Sequence, residues 1–280
     1  MNSSVEFIDI DWDGRSISIE YQWLGDADPA RPLLVFLHEG LGSRAMWKDF
    51  PARLCAAVNC RGLVYSRPGY GRSTPRAADE RWQVDFMHQH AYQVLPAILE
   101  TLEVDTANDP PWLLGHSDGG SIALLYAARY PERTAGLILL SPHIMVEDLS
   151  IKSIEQARET YLNTDLKQRL GRYHDDPDSA FWGWNRIWLA PEFRHWNIES
   201  EISTIACPVQ ALQGLDDEYG TMEQVYGIQR LLSQTQVVEL ADCGHSPQRD
   251  QGEALISSVA GFIDAHGPLA GEQKYRAANQ

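Results

Sequence analysis

The sequence predicts an α/β fold: a mostly parallel central sheet with helices on both faces, an antiparallel hairpin at its start, and a helical cap inserted between two strands. Three observations predict it. Short, fully apolar runs alternate with helix-like stretches, the pattern of strands buried on both faces and joined by helical crossovers. Two segments of alternating apolar and polar residues flank Asp13-Gly14, a two-residue hairpin turn. From 142 to 206 the alternation stops, and several helical patterns follow one another with no buried strand between them.

The elements run in order. Residues 5–12 and 15–23 form the hairpin, and 32–38 (Pro-Leu-Leu-Val-Phe-Leu-His) is the first buried strand. Residues 46–57 read as helix, 63–66 as strand, and 85–103 as a long helix kinked at Pro96, which lacks the N–H an inner turn needs. Strand 112–115, helix 118–129 and strand 135–140 follow. Inside the insertion, 153–162 and 180–189 read as helices. Strand 208–212, helix 222–232, strand 236–240 and a mostly helical 247–266 complete the alternation. The expected organisation is a core of 1–142 and 207–266, a cap at 143–206, and a frayed tail at 267–280. Such an insertion leaves the C-terminal edge of the sheet, where open α/β sheets bind ligands, so it is placed to cover the site.

The chain has 280 residues, and 44% hydrophobic content suffices for a full core. Its 23 basic against 39 acidic residues give a net charge of −16, which disfavours nucleic acid and anionic membranes as partners. The start, Met1-Asn2-Ser3-Ser4-Val5-Glu6, has neither the basic opening nor the apolar core of a signal peptide, and no run of about 18 apolar residues spans a membrane. Cys55, Cys60, Cys207 and Cys243 are scattered, fitting a reducing cytoplasm and packing rather than a disulfide frame. No metal-ligand spacing and no nucleotide-type glycine loop occurs, so no cofactor is expected. The expected partner is a small-molecule substrate, with the chain a monomer or homodimer.

Gly115-His116-Ser117-Asp118-Gly119-Gly120 lies between a strand and a helix. A serine on so tight a turn is pushed into the open, and the small residues two before and two after it let the turn close. A serine hydroxyl is a weak nucleophile that needs a base, and the base an orienting carboxylate. His245 follows the last strand, and Asp216-Asp217-Glu218 follows the strand before it, so both loops reach the edge that carries Ser117. The acid lies among these three, with Asp217, three residues after Gly214, favoured over Asp216 and then Glu218. His116 is expected to face away from the site. Oxyanion N–H donors are expected from Asp118 and, in His38-Glu39-Gly40-Leu41-Gly42, from Gly40 or else Leu41, with His38 bracing that loop.

These motifs, with Arg67-Pro68-Gly69-Tyr70-Gly71-Arg72-Ser73 and Gly244-His245, resemble the α/β-hydrolase family across nearly the whole chain. The resemblance implies an α/β-hydrolase fold with a Ser117, Asp217 and His245 triad. It is strongest toward small capped esterases and carbon–carbon bond hydrolases, including ring-cleavage and valacyclovir hydrolase-like types. Two positions depart from the pattern: Glu39 replaces the usual glycine after His38, and Ser66 replaces the usual acid before Arg67.

Substrate contacts are expected from Leu41, Asp118, Trp182, Trp184 and Trp188. Asp118 either attracts a cationic group, as the resemblance to amino-acid ester hydrolases implies, or caps the helix or bonds to a neighbouring loop. Phe181, Trp182, Trp184, Trp188, Phe193 and Trp196 either roof the site or pack the cap. The leading reading is a serine carboxylesterase working through an acyl-enzyme. The alternatives are a carbon–carbon bond hydrolase using the same triad and a non-catalytic small-molecule receptor on the same fold.

Overall fold

A computed structural model of the chain describes residues 4–25 and 31–266. The hairpin pairs β1 (Glu6–Trp12) with β2 (Arg15–Leu24) through a turn whose two residues, Asp13 and Gly14, both have positive φ, 54° and 70°. β3 (Leu33–Leu37) follows, then α1 (Phe50–Ala57), β4 (Arg61–Tyr65), α2 (Phe86–Gln89) and α3 (Leu95–Thr101). The nucleophile motif joins β5 (Trp112–His116) to α4 (Asp118–Arg129), and β6 (Gly136–Leu140) comes next. The insertion carries α5 (Asp148–Asn163), α6 (Leu166–Leu170), α7 (Pro177–Trp188) and α8 (Glu199–Ile202). β7 (Val209–Gly214), α9 (Glu223–Leu231), β8 (Thr235–Leu240), α10 (Pro247–Asp250) and α11 (Gly252–Ala265) complete the described chain.

The eight strands form one sheet in the order β1-β2-β4-β3-β5-β6-β7-β8. β2 pairs antiparallel with β4, and every pairing from β4 to β8 is parallel. All residues of β3, β5, β6 and β7 are buried, as their unbroken apolar character requires between two helical layers. One apolar cluster lies under α3, α4 and the insertion, and the other under α1 and α11. No helix among the described residues is long and apolar enough to cross a membrane.

Two helices differ from the sequence reading. Residues 46–57 are split: a 3₁₀ turn, Arg44–Trp47, ends at Lys48 with φ 55°, and α1 starts afresh with Pro51 in its first turn. A proline there needs no donor, whereas a continuous helix would drive its ring into the carbonyl of Trp47. Residues 85–103 are divided by a π turn at His90–Val94, which widens the helix just before Pro96. The tail at 267–280 lies outside the described residues.

Within 143–206 the anticipated helices form, and a single isolated bridge, Met145 with Asn197, is the strand-like pairing described there. This segment is tied onto the loops at the C-terminal edge of the sheet. The Gly71 N–H donates to His174 Nδ1 (2.9 Å), Asp175 N–H donates to the Gly71 carbonyl (2.9 Å), and Ser179 Oγ takes the Arg76 N–H (2.7 Å). His174 is therefore buried where this segment meets the rest of the chain.

Candidate active site

Ser117 is the residue between β5 and α4, with φ 54° and ψ −120°. Positive φ is costly for a serine and persists where the surroundings enforce it. The neighbours cannot be larger: a Cβ on Gly115 would meet the Gly119 carbonyl oxygen at 2.2 Å, and one on Gly119 would meet the Leu37 oxygen at 2.0 Å. The serine thus sits at the positive end of a twelve-residue helix, on the edge where β3, β5, β6, β7 and β8 all end.

The structure brings three of the anticipated residues into one chain of hydrogen bonds. His245 Nε2 is 2.9 Å from Ser117 Oγ, and His245 Nδ1 lies 2.9 and 3.0 Å from the two Asp217 oxygens. Asp217 Oδ1 also accepts the N–H of Tyr219 (2.8 Å) and of Gly220 (3.2 Å). Burial pulls the Asp217 carboxyl upward, but His245 and these donors together hold it below the usual carboxylate range. Asp216 is exposed, and Glu218 instead accepts the His245 backbone N–H at 3.1 Å. Of the three acids, only Asp217 meets the imidazole in this arrangement.

The anticipated oxyanion loop, residues 38–42, is fixed from behind. The Glu39 carbonyl accepts from His38 Nδ1 (2.7 Å), Arg67 Nη2 (2.9 Å) and the Gly42 N–H (3.0 Å). A trans peptide points its N–H opposite its carbonyl, so these three donors aim the Gly40 N–H away from themselves. His38 Nε2 accepts the Arg67 N–H (2.9 Å), which leaves the His38 proton on Nδ1. Burial, helped by the Arg67 charge, drives the His38 pKa far down, so the ring stays neutral. The Asp118 N–H opens α4 and, like those of Gly40 and Leu41, has no acceptor among the described residues.

Asp118 has the neighbourhood of the second alternative, a bond to a neighbouring loop. Its side chain is fully buried, with Oδ2 3.6 Å from Arg67 Nη2 and Oδ1 accepting Trp188 Nε1 at 3.2 Å. Burial raises its carboxyl above the usual range, against the opposing pull of Arg67. The carboxylate thus faces a core arginine and a cap indole, and a contact with substrate has no geometric support. Arg67, the first residue of the Arg-Pro-Gly motif, links the two oxyanion segments, Glu39-Gly40 and Asp118. Its guanidinium also lies over the Tyr70 ring at 4.7 Å.

A cavity of about 230 Å³ opens above Ser117, bounded by Glu39, Gly40, Leu41, His116, His143, Ile154, Trp184, Trp188, Glu218, Tyr219, His245, Ser246 and Arg249. Leu41, Trp184 and Trp188 are therefore where the sequence reading put them. Trp182 is not: it borders a separate outer depression, with Arg186 over its ring at 5.1 Å. Phe181 stacks on Tyr161 at 3.8 Å, and Phe193 on Trp196 at 5.3 Å, inside the cap. The aromatic excess thus serves both anticipated ends, two indoles at the cavity and the rest in packing.

Two histidines at the site escaped the sequence reading. His116 does not face away. Its Nε2 donates to the His245 carbonyl at 2.6 Å, and its Nδ1 lies 3.3 Å from Glu39 Oε2. Burial alone would lower the His116 pKa, but Glu39, the His245 carbonyl and Asp217 together raise it. Burial likewise pushes Glu39 upward, and His116 outweighs it, bringing the carboxyl down to about 2. The glutamate that replaces the usual glycine thus lies against the histidine next to Ser117, whose Nδ1 is also 3.1 Å from the Gln248 amide nitrogen. His143 lines the cavity just after β6, its ring 5.7 Å from that of His245. Ending a strand at the same edge was the signal that marked it.

Comparison with known proteins places the fold and the family. The chain is 23% identical over 257 residues to 2-hydroxy-6-oxo-6-phenylhexa-2,4-dienoate hydrolase of Burkholderia cepacia, covering 82% of this chain and 87% of that protein. It is 28% identical over 151 residues to monoglyceride lipase of Homo sapiens, covering 54% of this chain and 47% of the lipase. The chain thus spans about half the length of the monoglyceride lipases it matches. An esterase from Rhodococcus sp. ECU1013 superposes with a TM-score of 0.70 at 20% identity, over 95% of this chain and 100% of that one. A structure from a study of carboxylesterases of Nitrososphaera gargenis gives 0.72 at 18% identity, over 93% and 98%. Residues 34–257 match the profile of the alpha/beta hydrolase family, and the chain belongs to that family.

Proposed function

We propose that the chain is a serine carboxylesterase for small, uncharged esters. The observation that carries this is the unbroken Ser117–His245–Asp217 chain at about 3 Å per link, opening onto a cavity of about 230 Å³. His245 takes the Ser117 proton as Oγ attacks the ester carbonyl. Asp217 holds the imidazole with its proton on Nδ1 and stabilises the imidazolium. The N–H groups of Asp118 and Gly40 receive the oxyanion, and the α4 dipole favours it. His245 then protonates the leaving alkoxide, and water, deprotonated by the same ring, releases the acid.

The cavity is smaller than the range usual for drug-sized ligands and holds two carboxylates, Glu39 and Glu218, beside apolar walls. That supports short, neutral acyl groups over a long chain or a dianionic dienoate. A family relative is nonetheless a dienoate hydrolase. Assaying 4-nitrophenyl butanoate beside a ring-cleavage dienoate separates the readings. The ester is turned over with an acyl-enzyme burst, the dienoate is not, and Ser117→Ala abolishes turnover. Full activity in Ser117→Ala, or binding of ester without turnover in the native protein, overturns the proposal.

A further inference from the structure

Building on the esterase reading, we propose that His143 is a substrate-binding residue whose Nε2–H donates a hydrogen bond to a neutral oxygen, ether, hydroxyl or carbonyl, carried by the substrate beyond its ester group. The mechanism above makes no use of this side chain. His143 is 3% exposed, yet it is part of the cavity wall with Ser117, Trp184, Trp188 and His245. Its backbone is held on both sides: its carbonyl accepts Ser121 Oγ at 2.6 Å, and the next N–H donates to Gln224 Oε1 at 2.7 Å. The ring is clamped edge-on against Trp188, centroids 5.0 Å apart, with Cε1 3.4 Å from where a Cβ on Gly220 would lie.

The ring nitrogens have unequal surroundings. Nδ1 is sealed from solvent and has no partner among the described residues, whereas Nε2 is not among the sealed atoms of a ring that borders the cavity. His90 makes the contrast: both of its nitrogens are sealed, among Trp12, Trp82 and Phe86, and it takes no part in the cavity wall. A leucine or phenylalanine would complete the His143 wall without the cost of an unpaired buried polar group, which is about 1–3 kcal/mol.

Burial, helped by the nearby His245, lowers the His143 pKa to about 3, so the ring carries a single proton at working pH. An orphaned N–H is rarer in interiors than an orphaned lone pair, which puts that proton on Nε2, facing the cavity. The atom offered to substrate is thus a donor. Glu39 and Glu218 share the cavity, and Arg249 is engaged by Asp250 at 2.9 Å, so a neutral acceptor is favoured over a carboxylate.

The test compares isosteric pairs, so that size is constant and intrinsic reactivity cancels between enzymes. One pair is 4-nitrophenyl methoxyacetate against 4-nitrophenyl butanoate, which places the ether oxygen on the acyl side. The other is 2-methoxyethyl acetate against butyl acetate, which places it on the alcohol side. For one pair, the preference for the ether in kcat/KM is expected to be about ten-fold greater in the native enzyme than in His143→Phe, with part of it restored in His143→Gln. His143→Leu replaces the phenylalanine variant if that ring distorts the fold, as thermal melting reports. Unchanged preference in both pairs overturns the proposal, even though Ser117→Ala is inactive. A third pair, 4-nitrophenyl hemisuccinate against 4-methylpentanoate, overturns the neutral-acceptor assignment if His143 favours the carboxylate. Full turnover by Ser117→Ala instead defeats the esterase reading itself.

Discussion

Gly40→Ala isolates the oxyanion loop by a single methyl group. Gly40 is not among the glycines with positive φ, so its backbone tolerates alanine and the effect is purely steric. The new Cβ would lie 2.3 Å from both Cδ1 and Nε1 of Trp184. Ordinary contact needs about 3.5 Å, so loop and indole must separate by about 1.2 Å. Neither side yields easily. Trp184 is 6% exposed and packs edge-on against Phe181, while the Glu39 carbonyl is gripped by three donors. A displacement near 1 Å at a reacting group costs about 100-fold, and losing one oxyanion donor costs about 100- to 1,000-fold. Steady-state kinetics on 4-nitrophenyl butanoate should therefore show kcat falling about 100-fold while thermal stability falls modestly. Trp184→Leu removes the obstructing indole. The double variant should recover to within about ten-fold of Trp184→Leu alone, a coupling that a double-mutant cycle reads directly. Native kcat in Gly40→Ala, or a double variant as slow as the product of the two singles, would refute the reasoning.

Asp217→Asn should lower kcat about 10,000-fold with the fold intact, because the introduced amide stabilises the wrong His245 tautomer; retention of more than a tenth of the activity would count against Asp217. Asp118→Asn should cost about 2 kcal/mol in chemical denaturation through loss of the Arg67 pair, yet leave the relative kcat/KM for cationic and neutral esters unchanged; a selective loss for cationic esters would restore Asp118 as a substrate contact. The Glu39–His116 pair predicts a pH signature. Glu39 is lowered from 4.5 to about 2, so its contribution is present above 4.5 and lost on acidification; His116 is raised above 6.5, so its contribution is present below 6.5 and lost as pH rises through the elevated value. Glu39→Gln should therefore lower Tm most between about pH 4.5 and 6.5, by about 3 °C, with the gap shrinking as pH rises through the elevated His116 value; a gap independent of pH would contradict the pairing.

The strands and the nucleophile turn were legible because their signals are local. An apolar run such as Leu33–Leu37 has no alternative to burial, and a serine between Gly115 and Gly119 has few backbone solutions. What the chain hid depends on phase and on partners far away in sequence. Trp182 looked equivalent to Trp184 and Trp188 in a list of aromatics. On a helix, 184 and 188 share a face, while 182 is two positions, about 200°, from 184. The role of Asp118 stayed open between substrate and structure because its partner Arg67 lies far earlier in the chain, and nothing local announces the pair. His116 was misread for the same reason. The glutamate that meets its ring and raises its pKa stands 77 residues away, at a position where the motif leads one to expect glycine.

The indole of Trp188 hangs from the carboxylate of the very residue whose N–H is the proposed oxyanion donor. Roof and floor of the chamber are thereby tethered at the point where charge develops. Swinging the roof upward would pull on the nucleophile turn, so traffic belongs to the side, past Glu218, Tyr219, Ser246 and Arg249. A chamber tied in this way would serve as a fixed bore rather than a jaw. Acyl length should then meet a sharp cut-off, not the graded tolerance of an enzyme that closes around its guest.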